Sequence, residues 1–154
     1  MQVLIDADGC PVVDIAINCC VAYDDVRVVI LCDTSHLIQR AGVKTITVSK
    51  GADSVDFALV KLVNRGDIVI TQDYGLAAMC LAKNARVFRQ DGFEYTNENI
   101  DSLLFIRYEN KKIRSAGGRI KGPRKRSAED NNKFIESFQA ALSENNVKQN
   151  FTEA

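Results

Sequence analysis

The sequence holds one histidine, His36, and none of its five cysteines (Cys10, Cys19, Cys20, Cys32, Cys80) belongs to a C-x-x-C pair. That excludes a zinc site of the usual Cys/His spacing, and the odd cysteine count argues against a disulfide framework; free buried thiols in a reducing compartment are expected. No apolar run approaches the roughly 18 residues of a membrane-spanning helix. The first residues place Asp6 and Asp8 where a signal peptide would carry basic charge, so a cytoplasmic protein is expected. There is no G-x-G-x-x-G and no G-x-x-x-x-G-K-[ST], which leaves dinucleotide and P-loop nucleotide binding without support. Cys10 precedes a helix start, but no histidine or second cysteine stands beside it to make a nucleophile. His36 reads as a surface or packing residue.

What is present is an ordinary globular composition, 46% hydrophobic and 26% charged over 154 residues, sufficient for one self-supporting core without staples. A single domain is expected over residues 1–146, with 147–154 as a frayed tail. The formal net charge is zero, but it is unevenly divided. Residues 1–106 are acidic by five charges, residues 107–133 basic by seven, and the remainder acidic by two. Such asymmetry points toward a polyanionic partner.

Apolar spacing predicts alternating strands and helices. Strands are expected at Gln2–Ile5, Arg27–Cys32, Thr45–Val48, Asp67–Thr71 and Arg86–Arg89. Helices are expected from Pro11 to Val21, over Ser35–Ala41, Asp53–Asn64 and Tyr74–Asn84, then over Asn97–Arg114 and Ser127–Asn146. Asp67–Thr71 lacks polar alternation, as a strand covered on both faces should. The expected fold is therefore α/β: a three-layer parallel sheet of about five strands with helices on both faces, plus C-terminal helices. Ser115–Arg126, with three glycines, one proline and five basic residues, reads as an exposed, mobile loop.

In an open parallel sheet, ligands bind beyond the carboxyl ends of the strands. Three segments deliver aspartates there: Asp6 and Asp8 after the first strand, Asp53 and Asp56 at a helix start, and Asp73 after the fourth strand. Two like charges about 7 Å apart repel by about 2.4 kcal/mol at an effective dielectric of 20. Such a cluster needs protonation, basic partners or a cation, and oxygen-only ligands suit Mg²⁺ or Mn²⁺. Asp53 and Asp73 also fit simple helix N-caps. A metal beside a basic segment suggests phosphodiester hydrolysis, in which it activates water and stabilises phosphate charge. Arg114, Arg119, Lys121, Arg124, Lys125 and Arg126 are the candidate contacts to a phosphate backbone, sequence-blind and salt-sensitive. No aromatic pattern for base reading accompanies them.

Val3–Val12, Gly51–Asp56, Gly66–Ala78, Tyr95–Ile100 and the glycines 117, 118 and 122 with Pro123 together resemble the bacterial YaiI/YqxD family, in order from Met1 to about Leu142. The resemblance implies a PIN-like fold, in which acidic residues on a parallel sheet bind Mg²⁺ or Mn²⁺ in nucleases. On that pattern Asp6, Asp53 and Asp73 match the core metal positions, with Asp8 and Asp56 auxiliary and Asp6, Asp8 and Asp56 catalytic. The chain departs from the family at Gly9, commonly Ala, at Asp91, often Arg, and at Arg126 and Asp130-Asn131. Two other readings compete. One is a non-catalytic nucleic-acid-binding module that uses only the basic loop. The other is a haloacid-dehalogenase-like phosphatase with Asp6 as nucleophile, Asp8 as acid and Thr71 as the later hydroxyl; Lys61 and the Asp67/Asp73 spacing fit it poorly.

Overall fold

The computed structural model describes residues 1–122 and 124–152. Six strands form one sheet: β1 (Gln2–Asp6), β2 (Arg27–Asp33), β3 (Lys44–Val48), β4 (Ile68–Ile70), β5 (Arg86–Phe88) and β6 (Glu94–Tyr95). Their spatial order is β3-β2-β1-β4-β5-β6. Strands β1 to β5 run parallel, and β6 returns antiparallel to β5 through Val87↔Tyr95 and Phe88↔Glu94. The sequence predicts the five parallel strands; β6 is too short to show a periodicity and was not among them.

The helices are α1 (Val13–Cys20), α2 (Ser54–Leu62), α3 (Tyr74–Ala82), α4 (Asn97–Ser115) and α5 (Ala128–Thr152). Alternate side chains of each strand enter different cores, as the period of two requires. Val3, Ile5, Ile30, Ile68, Ile70 and Phe88 pack with Val13 and Ala16 of α1 and Phe134 and Phe138 of α5. Leu4, Val29, Leu31, Val69 and Val87 face the other way, against Leu59 of α2, Leu76 and Cys80 of α3 and Ile100 of α4. All three residues of β4 are buried, which explains a strand sequence with no polar alternation.

Three expectations change. Ser35–Ala41 is not helical, because the Asp33 carboxylate accepts the backbone N–H groups of Ser35 (2.7 Å) and His36 (3.2 Å), closing a turn that competes with a helix. Residues 147–152 are not a frayed tail but the last turns of α5, while 153 and 154 lie outside the described residues. Val21 faces out at 74% exposure, because α1 ends at Cys20. Pro123, part of the family pattern, also lies outside the described residues.

Among the described residues, no helix is long and apolar enough to cross a membrane. Asp67, which the sequence assigns to a turn at the opposite end of β4, is buried there. It accepts N–H groups from Gln2 (2.9 Å) and Asn64 (2.8 Å) and the Gln2 side-chain amide (3.0 Å). It fastens the bottom of the sheet and takes no part in the upper edge.

Candidate functional site

The order β3-β2-β1-β4-β5 reverses direction between β1 and β4. A crevice opens beyond the strand ends at such a switch point, since the connections on its two sides diverge. Asp6 ends β1 and Thr71 directly follows β4, so both stand at this crevice. The Thr71 hydroxyl donates to Asp6 Oδ2 at 2.8 Å and accepts the Asp73 N–H at 3.0 Å. One hydroxyl thus joins the two acidic segments that the sequence separates by 65 residues.

Asp73 caps α3 by accepting the Leu76 N–H (3.1 Å), and Arg107 of α4 reaches the same oxygen, Oδ1, at 3.3 Å. Gly75 leaves room for this contact, since a Cβ there would lie 3.1 Å from Arg107 Nη1 and 3.2 Å from Asp73 Oδ1. Asp53 precedes α2 in a left-handed conformation (φ 61°), and its side chain makes no capping bond. The capping alternative therefore holds for Asp73 and not for Asp53.

Asp56, in the first turn of α2, is half-buried and receives no hydrogen bond among the described residues. Burial, then the charges of Asp73, Asp6 and Asp53, push its carboxyl up to about 6, against a smaller opposite pull from Arg107. Asp6 is also raised, by burial first and then by Asp73 and Asp8, while the Thr71 hydrogen bond opposes the rise. The four aspartates 6, 53, 56 and 73 therefore share one electrostatic environment. Asp8 lies at its exposed margin, 3.3 Å from His36 Nδ1; His36 also stands 3.8 Å from Asp33, at the end of β2. Sequence reading missed Asp33, Arg107 and the placement of His36. A carboxylate ending β2 was the available signal for Asp33.

Among the described residues, no three His, Cys, Asp or Glu side chains stand close enough to hold a metal ion as a ready set. The donor chemistry nevertheless suits a hard cation. Asp6 keeps Oδ1, Asp73 keeps Oδ2 and Asp56 keeps both oxygens without hydrogen bonds among the described residues. Mg²⁺ commonly uses one or two carboxylates and retains several waters, so it does not require a preassembled triad. Cys10 lines the same crevice, but burial raises its thiol, the opposite of an activated nucleophile.

The basic residues divide. Arg114, Arg119, Lys121 and Lys125 are exposed. Arg124 is bonded to the buried Asp130 (Nη1 to Oδ2, 2.9 Å), whose carboxyl it pulls far down. Arg126 donates to Asn131 Oδ1 (3.0 Å from Nε) and to the Gln90 carbonyl (2.9 Å). Arg124 ties the segment before α5 to that helix while its side chain stays largely exposed, and Arg126, half-buried, ties it to α5 and to the chain after β5. Arg114 belongs to the last turn of α4 and not to the loop.

A mostly parallel sheet with helices packed on both faces and carboxylates at its switch point defines an α/β protein with a polar, acidic crevice. The chain belongs to a family described as "Uncharacterized BCR, YaiI/YqxD family", whose model matches residues 4–144. Its relatives include the UPF0178 protein of Exiguobacterium sibiricum, 50% identical over 144 residues, covering 94% of this chain and 98% of the relative. Another is the UPF0178 protein of Ruminiclostridium cellulolyticum, 49% identical over 142 residues, covering 92% and 90%. That of Natranaerobius thermophilus is 47% identical over 133 residues, covering 86% and 90%. No solved structure matches the chain.

Proposed function

We propose that the protein is a divalent-metal-dependent phosphodiester hydrolase of PIN-like type, acting on RNA or DNA. The observation that carries this reading is the meeting of Asp6 and Asp73 at the Thr71 hydroxyl, beside Asp56, whose carboxyl is raised first by burial and then by the charges of Asp73, Asp6 and Asp53. A fold that crowds charge this way gains from a cation that relieves it. Asp6 and Asp73 are the residues that would hold Mg²⁺ or Mn²⁺, with Asp53 at the margin. A bound ion there supplies a lowered water pKa and charge stabilisation at the phosphate.

The chain's own groups have separable tasks. Thr71 orients Asp6 and fixes which of its oxygens stays open. Arg107 steadies Asp73 and brings a cation to the edge of the crevice. Asp56, half-buried beside those carboxylates and without a hydrogen-bond donor among the described residues, is the side chain available to accept a proton, the task of a general base. The exposed Arg114, Arg119, Lys121 and Lys125 offer a nucleic acid backbone a sequence-blind approach surface.

Calorimetric titration with Mn²⁺ tests the reading. Wild type should give a saturable heat that Asp6→Asn and Asp73→Asn abolish, alongside Mn²⁺-dependent cleavage of single-stranded RNA or DNA oligonucleotides. Negligible heat in wild type and variants alike, with no cleavage, overturns it.

One contact favours a second reading. The hydroxyl of Thr71 on Asp6 is the arrangement a phosphatase with Asp6 as nucleophile would use. Lys61 lies in the last turn of α2, well down the helix from Asp56 in its first turn, and so is poorly placed to serve it. Capture of fluoroberyllate on Asp6 would select that reading over the nuclease.

A further inference from the structure

A second cavity adjoins the carboxylates. It has a volume of about 340 Å³ and is walled by Arg89, Arg124, Arg126, Gln72, Gln90 and Tyr74. The acidic crevice, about 30 Å³ between Asp6, Asp8 and Thr71, shares Gln72 and Gln90 with it. The two spaces therefore meet along one wall.

The arginines in the larger space are already oriented. Asp91 holds Arg89 through Nε (2.8 Å) and Nη2 (2.7 Å), leaving Nη1 without a partner among the described residues. Arg126 is held through Nε and Nη2 by Asn131 and Gln90, and its Nη1 is likewise without a partner among the described residues. Asp91 and Asp130 match Arg89 and Arg124, whereas no carboxylate among the described residues pairs with Arg126. The cleft thus carries one positive charge in excess, on a guanidinium whose orientation is fixed by neutral acceptors. Arg126 also bears electrostatically on Cys10, which lines the acidic crevice, and so stands near the seam between the two spaces.

Size and chemistry narrow the occupant. A volume of about 340 Å³ lies at the small end of ligand pockets, matching one nucleotide and not a duplex. Guanidinium forks favour phosphate, and free N–H groups on pre-oriented arginines lose little freedom on binding it. Tyr74, half-buried and edge-packed on Tyr95 with ring centroids 5.9 Å apart, gives the cleft an aromatic wall. The amides of Gln72 and Gln90 add neutral donors and acceptors.

We propose that this cleft is a subsite for the phosphate monoester of a single nucleotide unit, gripped by Nη1 of Arg126 and Arg89. The unit is either the phosphorylated end of a strand or a free mononucleotide. That the subsite delivers its phosphate to Asp6 rests on the hydrolytic reading above; the binding itself does not.

The test is calorimetry in EDTA, so that no divalent ion takes part, with adenosine monophosphate, adenosine, and hexanucleotides bearing or lacking a terminal phosphate. Adenosine monophosphate should bind at least 10-fold more tightly than adenosine. Arg126→Gln should weaken it about 10-fold, while Lys44→Ala, at an exposed position on the edge strand β3, leaves it unchanged. Because Arg126 also anchors the segment before α5, Gln72 supplies a second pair of variants. Gln72 is exposed and its side chain makes no hydrogen bond among the described residues, and Gln72→Arg should tighten binding severalfold while Gln72→Glu weakens it. Tighter binding of the phosphorylated hexanucleotide than of the mononucleotide identifies a strand end; the reverse identifies a free nucleotide. Equal binding of adenosine and its monophosphate, no binding of either, or indifference to both Gln72 substitutions overturns the proposal. Nucleotide binding without any Mn²⁺ heat would keep the subsite and remove the hydrolase.

Discussion

Asp56 shows how a single side chain reports on its surroundings. Its ordinary value is near 3.8, and in the fold it stands at about 6. The folded state therefore binds the proton more tightly than the unfolded chain does, and stability falls as pH rises between about 4 and 6. Above that window the deficit persists. Solvent screening reduces it to about 1 kcal/mol, well below what the bare shift implies. Asp56→Asn should accordingly raise the melting temperature at pH 8 by about 2–4 °C and leave it nearly unchanged at pH 4, as read by differential scanning calorimetry. Adding Mn²⁺ at pH 8 should stabilise wild type and close most of that gap. A variant less stable than wild type at pH 8 would mean that Asp56 is held by a bond and not crowded by charge.

At the scale of elements, the short hairpin β5–β6 and the start of α5 build the far wall of the cleft. Gly92 sits between them with φ 87°, and a Cβ on it would lie 2.5 Å from the Lys133 carbonyl oxygen of α5. Gly92→Ala should cost about 2–4 kcal/mol, combining left-handed strain with a backbone clash, measurable by urea denaturation. Tyr95 in β6 is fully buried, and its hydroxyl has no hydrogen-bond partner among the described residues. Burial pushes that hydroxyl above the ordinary tyrosine range, so it stays protonated. Tyr95→Phe removes an unsatisfied polar atom while keeping the ring contacts with Phe93 and Tyr74, and should stabilise the protein by about 1 kcal/mol in the same assay. Asp130 acts similarly across elements. Its carboxylate takes the Ser127 N–H (2.9 Å) at the head of α5 and the Arg124 fork, so a residue read as part of a basic loop is also a helix anchor.

For the whole molecule, the acidic crevice and the basic stretch are separate in sequence but meet at the Arg107–Asp73 pair and across Gln72 and Gln90. A strand of nucleic acid crossing the exposed cations would lose affinity with salt by a slope of about 0.7 per phosphate neutralised. Replacing both Arg119 and Lys121 by Ala should reduce that slope by about 1.4 in a fluorescence-anisotropy titration, and an unchanged slope would place the strand elsewhere. The sequence alone determined the alternation of strands and helices, because helical and strand periodicities arise from neighbouring residues. It also determined that β4 is covered on both faces, since an unbroken apolar run has no polar side to expose. Two elements escaped it for equally local reasons: β6 is two residues long, and the Asp33 turn displaces a helix through one side-chain acceptor. Only the tertiary structure decided the strand order that brings Thr71 to Asp6, the reach of Arg107 across 34 positions to Asp73, and the pairing of Arg124 with Asp130 and of Arg126 with the Gln90 carbonyl. Those contacts join residues far apart along the chain, and their geometry is set by how the sheet and helices pack, which no local pattern of residue types encodes.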